Sequence, residues 1–169
     1  MQHGRRWVWQ VSMLAILVVG PALADDLPLR KAGLWKMTMT ESTGESVASQ
    51  QCVDEASDRA LQKLGQGMAG TTCSKHEIKK GGAGWTVASE CTFGESKMIS
   101  KGEFKGDFQT SYEGQLETTF TPAFMGQTQS KSTIRGEFLG PCTAGQKPGD
   151  IIMDGHTMNV HELGKAMPK

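Results

Sequence analysis

Most of the chain alternates between apolar and polar positions. From Leu34 to Thr40 the run L-W-K-M-T-M-T puts Trp35, Met37 and Met39 on one face and Lys36, Thr38 and Thr40 on the other, the period of two of a half-buried strand. Ser42-Thr43-Gly44 supplies a turn, and Ser46 to Val53 reads as the return strand, carrying Cys52 near its end. At Asp54 the period changes. Asp54 suits an N-cap, Glu55 and Asp58 the first turn, Ala56, Ala60, Leu61 and Leu64 an apolar side, Lys63 the last turn and Gly65 a stop, which predicts a helix of about three turns.

Cys73 to Lys80 and Trp85 to Phe93 flank Gly81-Gly82-Ala83-Gly84 and are expected to pair as a hairpin. A four-residue loop sets Val87 opposite Ile78 and Cys91 opposite Ser74. Cys73 then faces the other side, so this register argues against a Cys73–Cys91 bridge. Lys97–Lys105, Phe108–Phe120 and Gln127–Leu139 continue the alternation, separated by Gly106-Asp107 and the Pro122 region. On the long middle strand Phe108, Thr110, Tyr112, Gly114, Leu116, Thr118 and Phe120 share one face. Gln109, Ser111, Glu113, Gln115, Glu117 and Thr119 form a wet one. After Gly140-Pro141-Cys142 and the polar link Ala144–Gly149, Asp154-Gly155 between Ile151-Ile152-Met153 and His156–Val160 signals a last hairpin. The expected fold is mainly β: an antiparallel meander curled into a barrel or half-barrel, with one short helix and a C-terminal hairpin. A two-sheet sandwich is the alternative.

The segment before the first strand has a different character. Arg5 and Arg6 precede an apolar stretch from Trp7 to Val19, broken only by Gln10 and Ser12, and Gly20-Pro21 and Ala22-Leu23-Ala24 follow. That order reads as a signal peptide cleaved between Ala24 and Asp25. Its longest unbroken apolar run, Met13–Val19, is far short of the roughly 20 residues that span a bilayer. Trp7-Val8-Trp9 after the arginine pair lacks the longer consensus of twin-arginine export, so the general secretory route is expected, and no Cys beside Ala24 offers a lipoprotein anchor. The chain therefore divides into a signal peptide, 1–24, and a single exported β-rich domain, 25–169, of which 143–169 is a C-terminal extension. The expected location is the periplasm, with no membrane span after cleavage.

Charge and composition narrow the partners. Lys and Arg number 18 against 18 Asp and Glu, so there is no basic excess to neutralise a phosphate backbone, and nucleic acid is not an expected partner. Removing the signal takes away Arg5 and Arg6 and leaves a mildly acidic remainder. With 37% hydrophobic and 21% charged residues the chain fits a globular domain rather than a disordered one. All four cysteines, Cys52, Cys73, Cys91 and Cys142, follow the signal, and an even number in an oxidising compartment predicts two disulfides. Four cysteines allow three connectivities. The favoured one joins Cys52 to Cys73, closing the helical segment, and Cys91 to Cys142, tying sheet to tail. Zinc is a weak competitor because no C-x-x-C pair is present.

The remaining candidates for chemistry each have a plainer reading. Gly65–Gly70 matches G-x-G-x-x-G, but it follows a helix, precedes a strand and lacks the Lys of a phosphate loop. His156 and His161 beside Met153 and Met158 resemble soft-metal ligands, yet His-x4-His is not a usual metal spacing and the methionines suit hairpin packing. His76 stands alone on a strand. Ser89 and Ser111 lack a nucleophile-elbow context, and Glu113 and Glu117 read as solvent-face residues. Trp35, Trp85 and Tyr112 are either a core or the lining of an apolar pocket, core packing being the stronger reading. No catalytic residue, metal ligand or cofactor site is assigned. The expected role is a non-enzymatic envelope domain that binds an apolar ligand or an envelope protein. The alternative is an envelope enzyme whose site converges only in the fold.

Ala32-Gly33-Leu34-Trp35, the four-cysteine series and the closing Arg135, Gly140 and Cys142 together resemble the bacterial exported family called domain of unknown function 3617. Members commonly open with a Gly-Leu-Trp-Glu-like strand and continue with Cys followed by a small or apolar pair. Here Lys36 stands in place of the Glu, and Val53-Asp54 follows Cys52. The resemblance covers most of the chain after the signal, implies an exported β-rich domain, and carries over no catalytic or binding residue.

Overall fold

The alternating segments pair into one antiparallel sheet. A computed structural model describes residues 26–66 and 71–166. Within it the strands are β1 (Gly33–Glu41), β2 (Ser46–Val53), β3 (Thr71–Gly81), β4 (Gly84–Phe93), β5 (Ser96–Gly106), β6 (Ser111–Phe124), β7 (Gln127–Gly140), β8 (Asp150–Met153) and β9 (His156–Asn159), with helices α1 (Glu55–Gln66) and α2 (Val160–Ala166). The spatial order is β3-β4-β5-β6-β7-β1-β2-β8-β9. Strands β3 to β7 form the expected meander, and β1 closes against β7 in a long antiparallel ladder from Leu34↔Gly140 to Glu41↔Ser132. The sheet stays open, with β3 and β9 at its edges, so it is a curled sheet rather than a closed barrel. The segment after Cys142 adds β8 beside β2 and then β9, and α2, which the alternation did not predict, follows directly.

Turn chemistry accounts for the hairpins. Asp154 (φ 50°) and Gly155 (φ 79°), and likewise Met125 (φ 48°) and Gly126 (φ 81°), adopt the two successive positive-φ conformations that match the twist of tightly joined strands. On the apolar face, aromatic rings lie across glycines on the neighbouring strand. Phe104 covers Gly114, its direct partner, and Tyr112 covers Gly136, also its direct partner, so that a Cβ at either glycine would collide with the ring. The rings continue as a cluster. Trp35, with no exposed surface, lies 5.9 Å from Tyr112 and 5.6 Å from Phe138, and Phe108 stacks on Tyr112 at 4.6 Å.

Three local expectations are corrected. First, the cysteine pairs are Cys52–Cys142 and Cys73–Cys91, and no free cysteine remains. Ile78 does face Val87 and Lys75 faces Glu90, but the register slips between Cys73 and Lys75, so that Cys73 meets Cys91. A β-bulge at Ser74 supplies the one extra residue, which restores Cys73 to the face it was expected to leave. Cys52 pairs across to Leu34, and Leu34 to Gly140, which brings Cys142, two residues further on, to Cys52. Second, β6 begins at Ser111. Phe108 lies before it with φ 56°, because the Asp107 carboxylate accepts the backbone N–H groups of Gln109 (2.8 Å), Thr110 (2.7 Å) and Ser111 (3.2 Å) and curls the chain there. Third, α1 runs through Gly65, and its most buried residues are Ser57 and Asp58, while Ala56 is exposed.

Candidate functional site

Asp54 and Ser57 start α1. The Ser57 N–H donates to Asp54 Oδ1 (2.8 Å), and the Asp54 N–H donates back to Ser57 Oγ (2.8 Å), a reciprocal cap of the helix N-terminus. The bond from the Ser57 backbone, followed by that from its hydroxyl, holds the Asp54 carboxyl below its ordinary range. With the start fixed, the next residue, Asp58, points into the protein.

There it meets Arg30, which arrives on the segment before β1. Arg30 Nε donates to Asp58 Oδ1 at 2.7 Å, Nη2 lies 2.7 Å from the same oxygen, and the Arg30 backbone N–H donates to Oδ2 at 2.8 Å. The side chains are 7% and 1% exposed. Arg30 Nη1 reaches onward to Gln51 Oε1 on β2 (2.9 Å) and Met37 Sδ on β1 (3.4 Å). One buried ion pair thus links the N-terminal segment, α1, β1 and β2. A desolvated pair of this kind persists only when its hydrogen-bonding groups are met, and here the carboxylate takes three contacts.

Between α1 and the sheet lies a cavity of about 510 Å³, within the size range of small-molecule sites. Its apolar walls are Met37 and Met39 from β1, Val47 from β2, Phe104 from β5, Tyr112 from β6, Ile134 from β7, Met153 from β8, Leu61 from α1, Phe108, and Leu27 and Pro28 from the N-terminal segment. Arg30, Asp58, Gln51, Ser49 and Gln62 supply the polar part. Met39 and Val47 are 44% and 54% exposed, which marks the side open to solvent. Inside, the Tyr112 hydroxyl donates to Met37 Sδ at 3.3 Å. Burial, partly opposed by the Arg30 charge, pushes the phenol pKa up, so it remains a protonated donor.

A larger groove of about 620 Å³ crosses β4, β5, β6, β7 and β1 around Val87, Gly102, Leu116, Ser132 and Glu41. Size does not decide between the two. The second groove has no aromatic lining and is bordered by Lys101, Glu103, Glu117 and Lys131, of which Lys131 and Glu117 pair with each other at 3.4 Å. Of the two, the cavity beneath α1 has the more apolar lining and the aromatic side chains.

The sequence candidates distribute unevenly over this arrangement. Tyr112 lines the cavity. Trp35 is core, and Trp85 packs edge-on against Phe108 at 5.2 Å and borders a small groove at the β3–β4 turn. His76 stands opposite Ser89, but both its ring nitrogens are buried without a hydrogen-bond partner, so no Ser–His pair forms. Glu113 and Glu117 are bound to Arg135 (2.8 Å) and Lys131 on the neighbouring strand. His156 lies on β9 and His161 on α2. Among the described residues no group of three or more His, Cys, Asp or Glu gathers as a metal site. Residues 1–24, expected from sequence to be a signal peptide, and Gly67–Gly70 lie outside the described residues. The sequence pattern singles out neither Arg30 nor Gln51, places Met37 only on the apolar face of the first strand, and reads Asp58 only as a helix-terminus charge. No spacing marks residues that converge from four separate segments.

No helix among the described residues is long and apolar enough to cross a membrane, and the two disulfides indicate an oxidising environment. A comparison with protein families matches residues 30–142 to the family described as "Protein of unknown function (DUF3617)". No curated protein and no solved structure matches the chain.

Proposed function

Because the chain belongs to the family DUF3617, whose description names no activity, we propose a role from the chain's own geometry: an exported, non-enzymatic envelope domain that holds an apolar small molecule beneath α1. The observation that carries this reading is the cavity of about 510 Å³ with its aliphatic and aromatic walls. Its roof is held by a buried ion pair rather than by side chains that fill the space. Export is supported by the order of Arg5-Arg6, apolar stretch and Ala22-Leu23-Ala24 and by the disulfides, which form in oxidising compartments. Cleavage after Ala24 would release residues 25–169 to the periplasm, and intact mass of the exported protein tests that site.

The expected affinity is modest. A twelve-carbon chain gains about 0.8 kcal/mol per buried CH₂, about 9 kcal/mol gross, and association costs at least about 4 kcal/mol. The difference corresponds to a Kd on the order of 0.1 mM, tighter if polar groups add to it. Native mass spectrometry of protein purified from its own envelope is the test. A retained small molecule, absent from a Leu61→Trp variant that fills the cavity, is the expected result. A protein that carries nothing and binds no apolar probe refutes the reading, and a retained protein partner would replace it with an interaction module.

A further inference from the structure

Two hydrogen-bond donors inside the cavity end on the same sulfur. Arg30 Nη1 lies 3.4 Å from Met37 Sδ and the Tyr112 hydroxyl 3.3 Å from it, and all three residues line the cavity. A thioether is a weak acceptor, and a buried donor without a good acceptor is destabilising. One guanidinium N–H and one phenol therefore converge on a point where an oxygen with two lone pairs would serve both better than sulfur does. Beside them Gln51, whose Oε1 is taken by Arg30 Nη1, has an amide nitrogen with no protein partner among the described residues.

The charge of the site selects among oxygens. Arg30 is already neutralised by Asp58, through Nε and Nη2 at 2.7 Å each. A ligand carboxylate or phosphate placed at Nη1 would enter the same buried cluster as the Asp58 carboxylate, and two like charges close together in a poorly solvated site repel strongly. An uncharged carbonyl accepts from Arg30 and Tyr112 without adding charge. Resting on the cavity reading above, we infer that the ligand is a neutral, carbonyl-bearing apolar molecule, an ester, ketone or amide on an aliphatic or ring body, whose oxygen replaces Met37 Sδ as the acceptor of Arg30 Nη1 and Tyr112 Oη. The remaining apolar body lies along Phe104, Ile134 and Leu61.

The experiment uses three probes of equal chain length, methyl decanoate, decanoate and decane, each measured at pH 8 by displacement of the fluorescent apolar dye N-phenyl-1-naphthylamine. Methyl decanoate is expected to bind at least about tenfold tighter than decanoate. Tyr112→Phe keeps the ring against Phe108 and is expected to weaken the ester about fivefold, the loss of one hydrogen bond, while leaving decane unchanged. Met37→Leu removes the sulfur that competes for the two donors and is expected to tighten the ester several-fold. It serves as the independent test if circular dichroism shows that Tyr112→Phe does not fold. Equal binding of all three probes, tightest binding of decanoate, or an ester affinity that neither variant moves overturns the carbonyl assignment and leaves the apolar cavity standing. Failure of every probe to displace or bind removes the cavity reading itself.

Discussion

Replacing Asp58 by alanine leaves the Arg30 guanidinium buried with its main acceptor gone. The wild-type carboxylate takes Arg30 Nε and Nη2 at 2.7 Å each and the backbone N–H at 2.8 Å, with the two side chains 1% and 7% exposed. Burial of this degree puts the pair outside the regime of surface ion pairs, which contribute about 0–1 kcal/mol, and into the one where removing a partner costs about 3–5 kcal/mol. Loss of a negative charge from the first turn of α1 adds a few tenths of a kcal/mol. Urea unfolding with the disulfides intact is the assay. At an m-value of about 2 kcal/mol/M, a loss of about 4 kcal/mol lowers the midpoint by about 2 M with m unchanged, a large part of the roughly 5–15 kcal/mol that keeps a domain folded. Arg30→Met should cost a similar amount. The double variant Arg30→Met with Asp58→Leu should cost clearly less than the sum, because two apolar side chains leave no charge stranded. A midpoint shift under about 0.5 M for Asp58→Ala, or strict additivity in the double variant, would show that the pair is solvated and that α1 is held by something else.

The two disulfides should differ in weight. Chain-entropy loss scales with the loop closed, so removing Cys52–Cys142, which spans 90 positions, should cost about 4.6 kcal/mol, against about 3.2 kcal/mol for Cys73–Cys91, which spans 18; calorimetry of the two double-alanine variants orders them. Gly114→Ala drives a methyl into the Phe104 ring and should lose about 1–3 kcal/mol, whereas Gly82→Ala, which meets nothing, should stay within about 0.5 kcal/mol of wild type in the same melts. The Asp107 carboxyl is held well below its ordinary range by the N–H of Thr110, then the Thr110 hydroxyl and the N–H groups of Gln109 and Ser111. A depressed folded-state pKa stabilises above the unfolded value near 3.9 and is lost as pH falls below it. The stability gap between wild type and Asp107→Ala should therefore be full at pH 6 and shrink progressively below about pH 4; a gap that does not vary with pH would rule out the carboxylate as its source.

Local chemistry was legible wherever partners lie close in sequence. Although Met39 is 44% exposed, the first strand with Trp35 buried and Lys36 exposed, the Ile78–Val87 pairing across Gly82-Ala83, the Asp154-Gly155 turn and the Asp54 cap all appear in the structure, because strand period, turn φ and helix-end hydrogen bonds are set within a few residues. The same locality explains the misreadings. Nothing in the composition of Thr72 to Lys75 announces a bulge at Ser74, yet that single extra residue reverses which face Cys73 occupies and so decides the cysteine pairing. Phe108 fits the alternation of β6, but the Asp107 carboxylate takes the N–H groups that a strand would have used. The closing of β1 on β7, with Leu34 beside Gly140, and the meeting of Arg30 with Asp58, Gln51 and Met37 depend on how the whole sheet is ordered. Residues drawn together across such distances share no period and no spacing. A buried Arg and Asp look, in sequence, like any two surface charges, and only their removal from water by the packing of α1 on the sheet makes them the frame of a cavity.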